Sequence, residues 1–240
     1  HTMLLSACAA LCCAAEASAY TGAWPEEAQT LAPRQFSWLS AFESDEHDGT
    51  SEITKPISTE LRLGVAKGWE VQLEKVFTYH DFGGTQFDYW ETGGTTLGPK
   101  ALLRGQDGNL PAVSVMPYVT FGDSRKSPPP GGRYGGILFL SRALGPVNLD
   151  LDLKAEGSAA RPLYSFYGGA RGPLWGRDLE GFVNLRGDYM PAAKPANEIQ
   201  TGLRLNYFNP VCVAFRYDFH FYDMRMDNDW VAALSFVSAF

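Results

Sequence analysis

Charged side chains at every second position are the part of this 240-residue sequence whose spacing could support chemistry. Glu60 and Arg62 stand two residues apart, and Glu70 and Glu74 follow after a turn that contains glycine. Alternate residues of a β-strand face the same side, so these charges share one face of each strand. Because an unpaired buried charge is costly, such a face must pair its charges or keep them hydrated.

The same spacing recurs along the chain and predicts a polar interior surface. The charges that share the predicted polar faces are Glu60, Arg62, Glu70, Glu74, Lys100, Arg104, Asp150, Asp152, Lys154, Glu180, Arg186, Arg204, Arg216 and Asp218. Two interpretations stay open at this point. Opposed charges could form a polar eyelet that selects solutes, or a salt-bridge network could fill a narrow barrel.

The histidines offer the one candidate for catalysis. A barrel enzyme that acts on lipids needs a nucleophilic serine, a histidine and a group that orients the histidine. His220 has Asp218 and Asp223 nearby, whereas His47 and His80 lie in predicted loops. No Gly-x-Ser-x-Gly or His-x-Ser pattern accompanies them. We therefore interpret His220 as a hydrogen-bonding residue and predict no catalytic residue.

The acidic stretch ESDEHDGTSE is the one candidate for a metal site. It lacks the spaced ligands of a calcium loop, so a solvated loop is expected and no metal or cofactor is predicted.

The elements that hold these charges are strands of about ten residues with period two. Clear alternation covers 57–65, 69–79, 148–156, 178–189, 199–207 and 211–221, and weaker patterns cover 35–44, 95–104, 112–121, 133–143 and 163–171. With 230–240 the tally is about twelve strands, and short connections alternate with longer ones, the last long one at 222–229. An even number of long strands with this rhythm predicts an all-β fold, a transmembrane antiparallel up-and-down β-barrel.

The alternation alone does not show whether the polar or the apolar face of each strand is turned outward. A soluble β protein turns its charges outward, whereas a membrane barrel turns its apolar side chains outward. Aromatic residues near the predicted strand ends favour the membrane barrel, because such rings form interfacial girdles. They are Trp69, Tyr79, Tyr134, Trp175, Tyr189, Tyr207, Phe208, Tyr222 and Trp230.

Composition and the N-terminal sequence favour export and exclude a nucleic-acid partner. The formal charge of −7 lacks the basic face that nucleic acids require. Residues 1–19 resemble a secretory signal that ends in Ala17-Ser18-Ala19. The alternatives are a buried N-terminal helix and a lipoprotein box with Cys8 as the lipid acceptor. Residues 20–34 then form a periplasmic leader or plug, and 35–240 form the barrel with Cys212 as its one cysteine.

The last strand, WVAALSFVSAF, resembles the C-terminal signature of bacterial outer-membrane proteins. Trp230, Leu234, Phe236 and Phe240 lie on one face, and the resemblance implies that the barrel-assembly machinery reads them. The strand must pair with the first one, at 35–44, because an open sheet edge is not tolerated in lipid. The expected location is the bacterial outer membrane, in contact with its lipid and lipopolysaccharide.

Three stretches resemble the outer-membrane transporter-like barrels named for the meta-pathway of phenol degradation. They are TELRLGVAKGWEVQLE, GGTTLGPKALL and LPAVSVMPYVTFGD, and Glu180 stands where that family tends to have a strand glutamate. The resemblance implies passive passage of small hydrophobic or aromatic solutes. Two alternatives remain: a barrel enzyme acting on lipids, and a non-conducting structural or surface-binding barrel.

Overall fold

The computed structural model describes residues 27–46, 53–82, 89–121, 133–157, 162–176, 178–189, 196–206, 211–222 and 225–239. These residues form twelve strands: β1 (Gln35–Glu46), β2 (Ile53–Ala66), β3 (Trp69–Asp81), β4 (Tyr89–Arg104), β5 (Ala112–Phe121), β6 (Arg133–Leu144), β7 (Val147–Gly157), β8 (Leu163–Trp175), β9 (Leu179–Tyr189), β10 (Ala196–Leu205), β11 (Val211–Tyr222) and β12 (Arg225–Ala239). The predicted all-β fold of about twelve strands is confirmed. No helix within the described ranges is long and apolar enough to cross a membrane. The predicted signal segment, Cys8, His47 and Phe240 lie outside the described residues.

The strands close into one antiparallel barrel in which each pairs with its neighbours along the chain. The seam joins β1 to β12, from Gln35 opposite Ala239 to Ser44 opposite Trp230. The predicted pairing of 35–44 with 230–240 is therefore confirmed. Every strand has two partners, so the sheet leaves no open edge and its backbone polar groups can be satisfied within lipid.

The two faces of the wall are inverted relative to a soluble protein. Large apolar side chains such as Leu185, Phe215 and Val183 are exposed on the outer face, each with about half of its surface accessible (52%, 49% and 53%). Charged side chains such as Arg62 and Glu70 are buried inside, at 2% and 0%. This arrangement is that of a transmembrane barrel and confirms the inverted assignment of the faces.

Exposed aromatic rings cluster toward the strand ends. Trp69 and Trp175 lie where β3 begins and β8 ends, and Tyr134 and Tyr189 lie toward the opposite end of the barrel. These positions suit the two interfacial girdles of a membrane barrel. We call the end with the two-residue turns at 67–68 and 145–146 the turn end and the other the loop end.

The predicted long connection at 222–229 is wrong. β11 continues to Tyr222 and β12 begins at Arg225, so only residues 223–224 separate them. The polar sequence of this segment suggested a loop, because it lacks an apolar face. A paired hairpin can nevertheless extend beyond the lipid, since its backbone hydrogen bonds do not require apolar side chains.

Candidate functional site

The interior of the barrel collects most of the charges predicted from the alternation. Those that are buried are Glu60, Arg62, Glu70, Lys100, Asp150, Asp152, Arg216 and Asp218, and those that are partly buried are Glu74, Lys154, Glu180, Arg186 and Arg204. Arg104 lies apart from this set. It is exposed at the end of β4, beyond a register shift after Leu102, and its Nη2 donates to the carbonyl of Pro111 at 3.2 Å.

A first cluster, the leader cluster, is centred on Glu70 and includes Arg62, Gln72 and Lys100. One Glu70 carboxylate oxygen accepts hydrogen bonds from Arg62 Nη2 at 2.6 Å and from Gln72 Nε2 at 2.7 Å. Lys100 Nζ lies 3.9 Å from the same oxygen. The residues stand on β2, β3 and β4, whose registers place them side by side on the inner face. Opposite charges and hydrogen bonds together allow these groups to be buried.

The chain that precedes β1 lies against this cluster inside the barrel. The backbone N–H of Leu31 donates to the second oxygen of Glu70 at 2.7 Å. Lys100 Nζ donates to the carbonyl of Glu27 at 2.6 Å. Leu31 itself is buried, at 2% exposure. Two buried charges thus bind backbone groups of residues 27–31 directly.

The opposite side of this segment contacts β5 and β6. The N–H of Ala28 donates to Ser141 Oγ at 2.6 Å, and the hydroxyl of Ser114 donates to the Ala28 carbonyl. The Ala28 methyl group packs in an apolar cluster that includes Met116 and Phe139. Backbone and side chain of Ala28 are therefore both satisfied within the barrel.

A tight turn leads the segment out into β1. Arg34 has a positive φ of 65°, and its N–H donates to the carbonyl of Gly64 at 2.9 Å. A Cβ at Gly64 would overlap the carbonyl group of Ala32. Glycine at this position lets the segment lie directly on the β2 backbone.

A second cluster, the wall cluster, lies on β8 to β11 and consists of Tyr167, Asn184, Glu198, Gln200, Arg216 and Asp218. The Tyr167 hydroxyl donates to the Gln200 side-chain carbonyl, and Asn184 Nδ2 lies 3.3 Å from both the Tyr167 hydroxyl and that carbonyl. Gln200 in turn donates to Glu198. These polar groups satisfy one another across neighbouring strands.

Two ion pairs lie on β9 to β11, on the same side of the barrel as the wall cluster. The guanidinium of Arg216 donates from Nε to Asp218 Oδ1 at 2.6 Å and from Nη2 to the second oxygen. Nearer the turn end, Arg204 Nη1 lies 3.7 Å from Glu180, and its Nε donates to Cys212 Sγ at 3.0 Å. The bidentate geometry of Arg216 with Asp218 makes this the stronger of the two pairs.

A third cluster lies toward the loop end. The Tyr118 hydroxyl donates to Glu156 Oε2 at 2.9 Å, and Lys154 Nζ lies 3.1 Å from the same oxygen. Lys154 Nζ also lies 5.1 Å from the centre of the Tyr118 ring. Arg133 approaches the other oxygen of Glu156 at 3.2 Å.

Four polar residues of the interior are not among the candidates predicted from the spacing of charges, because they are uncharged. They are Tyr118, Tyr167, Asn184 and Gln200. In the strand registers they lie on the same face as the buried charges of adjacent strands. Assignment of each residue to a face would therefore have predicted their inward position. In the part of the chain that is described, no group of three or more His, Cys, Asp or Glu residues is arranged to hold a metal ion.

Comparison with known proteins shows the fold. No protein-family model and no curated sequence matches the chain. The COG4313 outer membrane channel from Pseudomonas putida F1 has a TM-score of 0.62 at 10% identity, covering 93% of this chain and 100% of that one. The NanC porin scores 0.59 at 14% identity, covering 84% and 98%.

Two further structures show how widely this architecture is used. The CymD monoaromatic hydrocarbon channel scores 0.51 at 10% identity, covering 88% of this chain and 89% of that one. LpxR from Salmonella typhimurium scores 0.53 at 10% identity, covering 83% and 99%. The shared fold is the outer-membrane β-barrel, and a fold by itself selects no function.

Proposed function

We propose that this protein is a passive channel of the bacterial outer membrane for small solutes. The observation that supports this most directly is the distribution of side chains across the barrel sheet. An apolar exterior surrounds an interior that holds charges, hydroxyl groups and small cavities. A closed barrel of this kind offers a polar path across an apolar layer. Contact of its outer face with membrane lipid and lipopolysaccharide is part of the same proposal.

The solutes that suit the interior are small aromatic compounds with at least one polar group. Met116, Ile137 and Phe139 form an apolar strip on β5 and β6, and Met116 and Ile137 line a cavity together with Glu60 and Glu74. A flat apolar ring with a hydroxyl or amino group matches both surfaces, because pockets combine apolar lining with a few polar groups. The similarity to a monoaromatic hydrocarbon channel and the resemblance to the phenol meta-pathway barrels support the aromatic class.

Residues 20–34 act in this proposal as a plug at the turn end. The described part, residues 27–34, binds Glu70, Lys100, Ser114 and Ser141 through its backbone. Release of this segment would widen the path through the barrel.

Removal of residues 20–32 tests the channel and its plug together. We expect single-channel conductance in planar bilayers to rise several-fold relative to the complete mature chain. Liposomes should also become permeable to small phenols. The matched control lacks only residues 20–26 and retains every contact described for 27–34, so its conductance should stay at the level of the complete chain. A barrel that stays impermeable after removal of 20–32 would contradict the proposal.

The alternatives and the predicted assembly signal remain open to direct tests. Loss of a lipid-hydrolysing activity on replacement of His220 would favour an enzyme, and impermeability combined with ligand capture by the loops would favour a surface-binding barrel. Recognition of Trp230, Leu234, Phe236 and Phe240 by the barrel-assembly machinery remains a prediction. Leu234 is exposed on the outer wall, at 41%, which suits either lipid contact or recognition.

A further inference from the structure

Two small cavities occupy the interior between the leader cluster and the loop end. The first measures about 140 Å³, and the polar side chains that line it are Glu60, Gln72, Glu74, Thr96, Tyr118 and Lys154. The second measures about 120 Å³, and the polar side chains that line it are Asp152, Ser165, Tyr167, Lys154, Arg186 and Asp188. Each is only a few water molecules in size. The residues between the two cavities therefore limit the size of the solutes that can pass through the barrel.

Lys154 lines both cavities, and so does Ile137. The two residues face each other on β6 and β7, and Lys154 also pairs with Ser165 of β8. The lysine side chain is one-third exposed, at 33%, and its ammonium group lies between Glu156 and the face of Tyr118. A long flexible side chain therefore stands at the boundary between the two spaces.

The charged side chains that line the two cavities give Lys154 a particular electrostatic role. Among the described residues that line the first cavity, Lys154 is the one with a cationic side chain, and it faces Glu60 and Glu74. In the second cavity Lys154 and Arg186 face Asp152 and Asp188. Rings of carboxylates favour cations in a channel, so a cation fixed among them reduces that preference.

We propose that Lys154 is the residue that determines both the width and the charge selectivity of the lumen. Its side chain divides the interior into two cavities, and its ammonium group offsets the carboxylates of both. The inference rests on the proposed channel function. It predicts that the first cavity would be acidic without Lys154, and that small amines and other cations are held back there by this side chain.

The test compares Lys154→Met with Lys154→Arg, each in the complete chain and in the chain without residues 20–32. Methionine keeps much of the length of lysine but removes the charge. We expect the cation-to-anion permeability ratio, measured from the reversal potential in a salt gradient, to rise about fourfold. That estimate assumes one unit charge roughly 5 Å from a water-filled path. Lys154→Arg should keep the ratio of the parent protein. Lys154→Ala, which also removes the divider, should raise conductance further.

Lys55→Met is a matched control, because it removes a lysine outside both cavities. Lys55 pairs with Asp81 at 2.8 Å near the loop end and is partly exposed. Its loss should leave the permeability ratio unchanged. A conducting barrel whose ratio is the same for Lys154→Met and the parent would overturn the role of Lys154 while leaving the channel function intact. A barrel that passes no ion in any variant would overturn both.

Discussion

The leader cluster and the wall cluster bury the same kinds of side chain but satisfy them in different ways. In the wall cluster, Tyr167 and Gln200 bind each other, and Arg216 binds Asp218. In the leader cluster, Glu70 binds Arg62 and also accepts a hydrogen bond from the backbone of residue 31. Among the described residues, the hydrogen bonds described for the wall cluster join side chains of the sheet, whereas the leader cluster directs part of its hydrogen-bonding capacity into the lumen. The difference separates the polar groups that hold the barrel together from those that hold a ligand-like segment inside it.

Because only the leader cluster binds residues 27–31, we expect equal losses of stability in the two clusters to have unequal effects on permeability. Glu70→Gln and Asp218→Asn are near-isosteric changes that each break a buried ion pair. Each should lower the free energy of unfolding by ~3–5 kcal/mol, because a partner is left buried without its counter-charge. Only Glu70→Gln weakens the acceptor for the Leu31 N–H, so it alone should raise conductance. Tryptophan fluorescence during urea unfolding from lipid vesicles measures the first quantity, and planar bilayers measure the second.

An equal rise of conductance in both variants would contradict this distinction. It would mean that permeability follows general loosening of the barrel. A rise in neither would mean that Glu70 is dispensable for retention of residues 27–34.

A smaller change, Gly64→Ala, tests the contact between the β2 backbone and the segment that precedes β1. In Gly64→Ala the new methyl group would overlap the Ala32 carbonyl, so residues 31–34 must shift. We expect a loss of ~1–3 kcal/mol in the free energy of unfolding, as for overpacked sites. Conductance should rise, but less than in Glu70→Gln, because the charged contacts remain. Gly136→Ala is the control, since a methyl group there meets its nearest atom at 3.9 Å. Equal conductance of the two alanine variants would refute the close approach at Gly64.

The strands, their closure and the inner position of most charges could be predicted from the sequence because period two maps each residue onto a face. Leu61 faces outward and is partly exposed, whereas its neighbour Arg62 faces inward and is buried. The hairpin at Tyr222 and Arg225 could not be predicted, since outside the lipid a paired strand needs no apolar face. The strand pattern does not distinguish the leader cluster from the wall cluster. Glu70 and Asp218 look alike in a strand pattern, and their difference depends on contacts with residues 27–31, which have no alternation at all.

The smallest expected effect concerns two inward-facing serines, one whose hydroxyl donates to the segment at 27–34 and one whose hydroxyl has no hydrogen-bond partner among the described residues. Ser114→Ala removes the hydroxyl that donates to the Ala28 carbonyl, so that carbonyl loses a buried partner. The loss should be about 0.5–1.5 kcal/mol, with a slight rise in conductance. The hydroxyl of Ser37, by contrast, is buried and finds no hydrogen-bond partner among the described residues. Ser37→Ala therefore removes an unsatisfied polar group and should leave stability unchanged or raise it slightly. Urea midpoints of the two variants provide the measurement. A Ser37→Ala protein as destabilised as Ser114→Ala would show that burial of a hydroxyl, and not its contact with the leader, sets the cost of removing it.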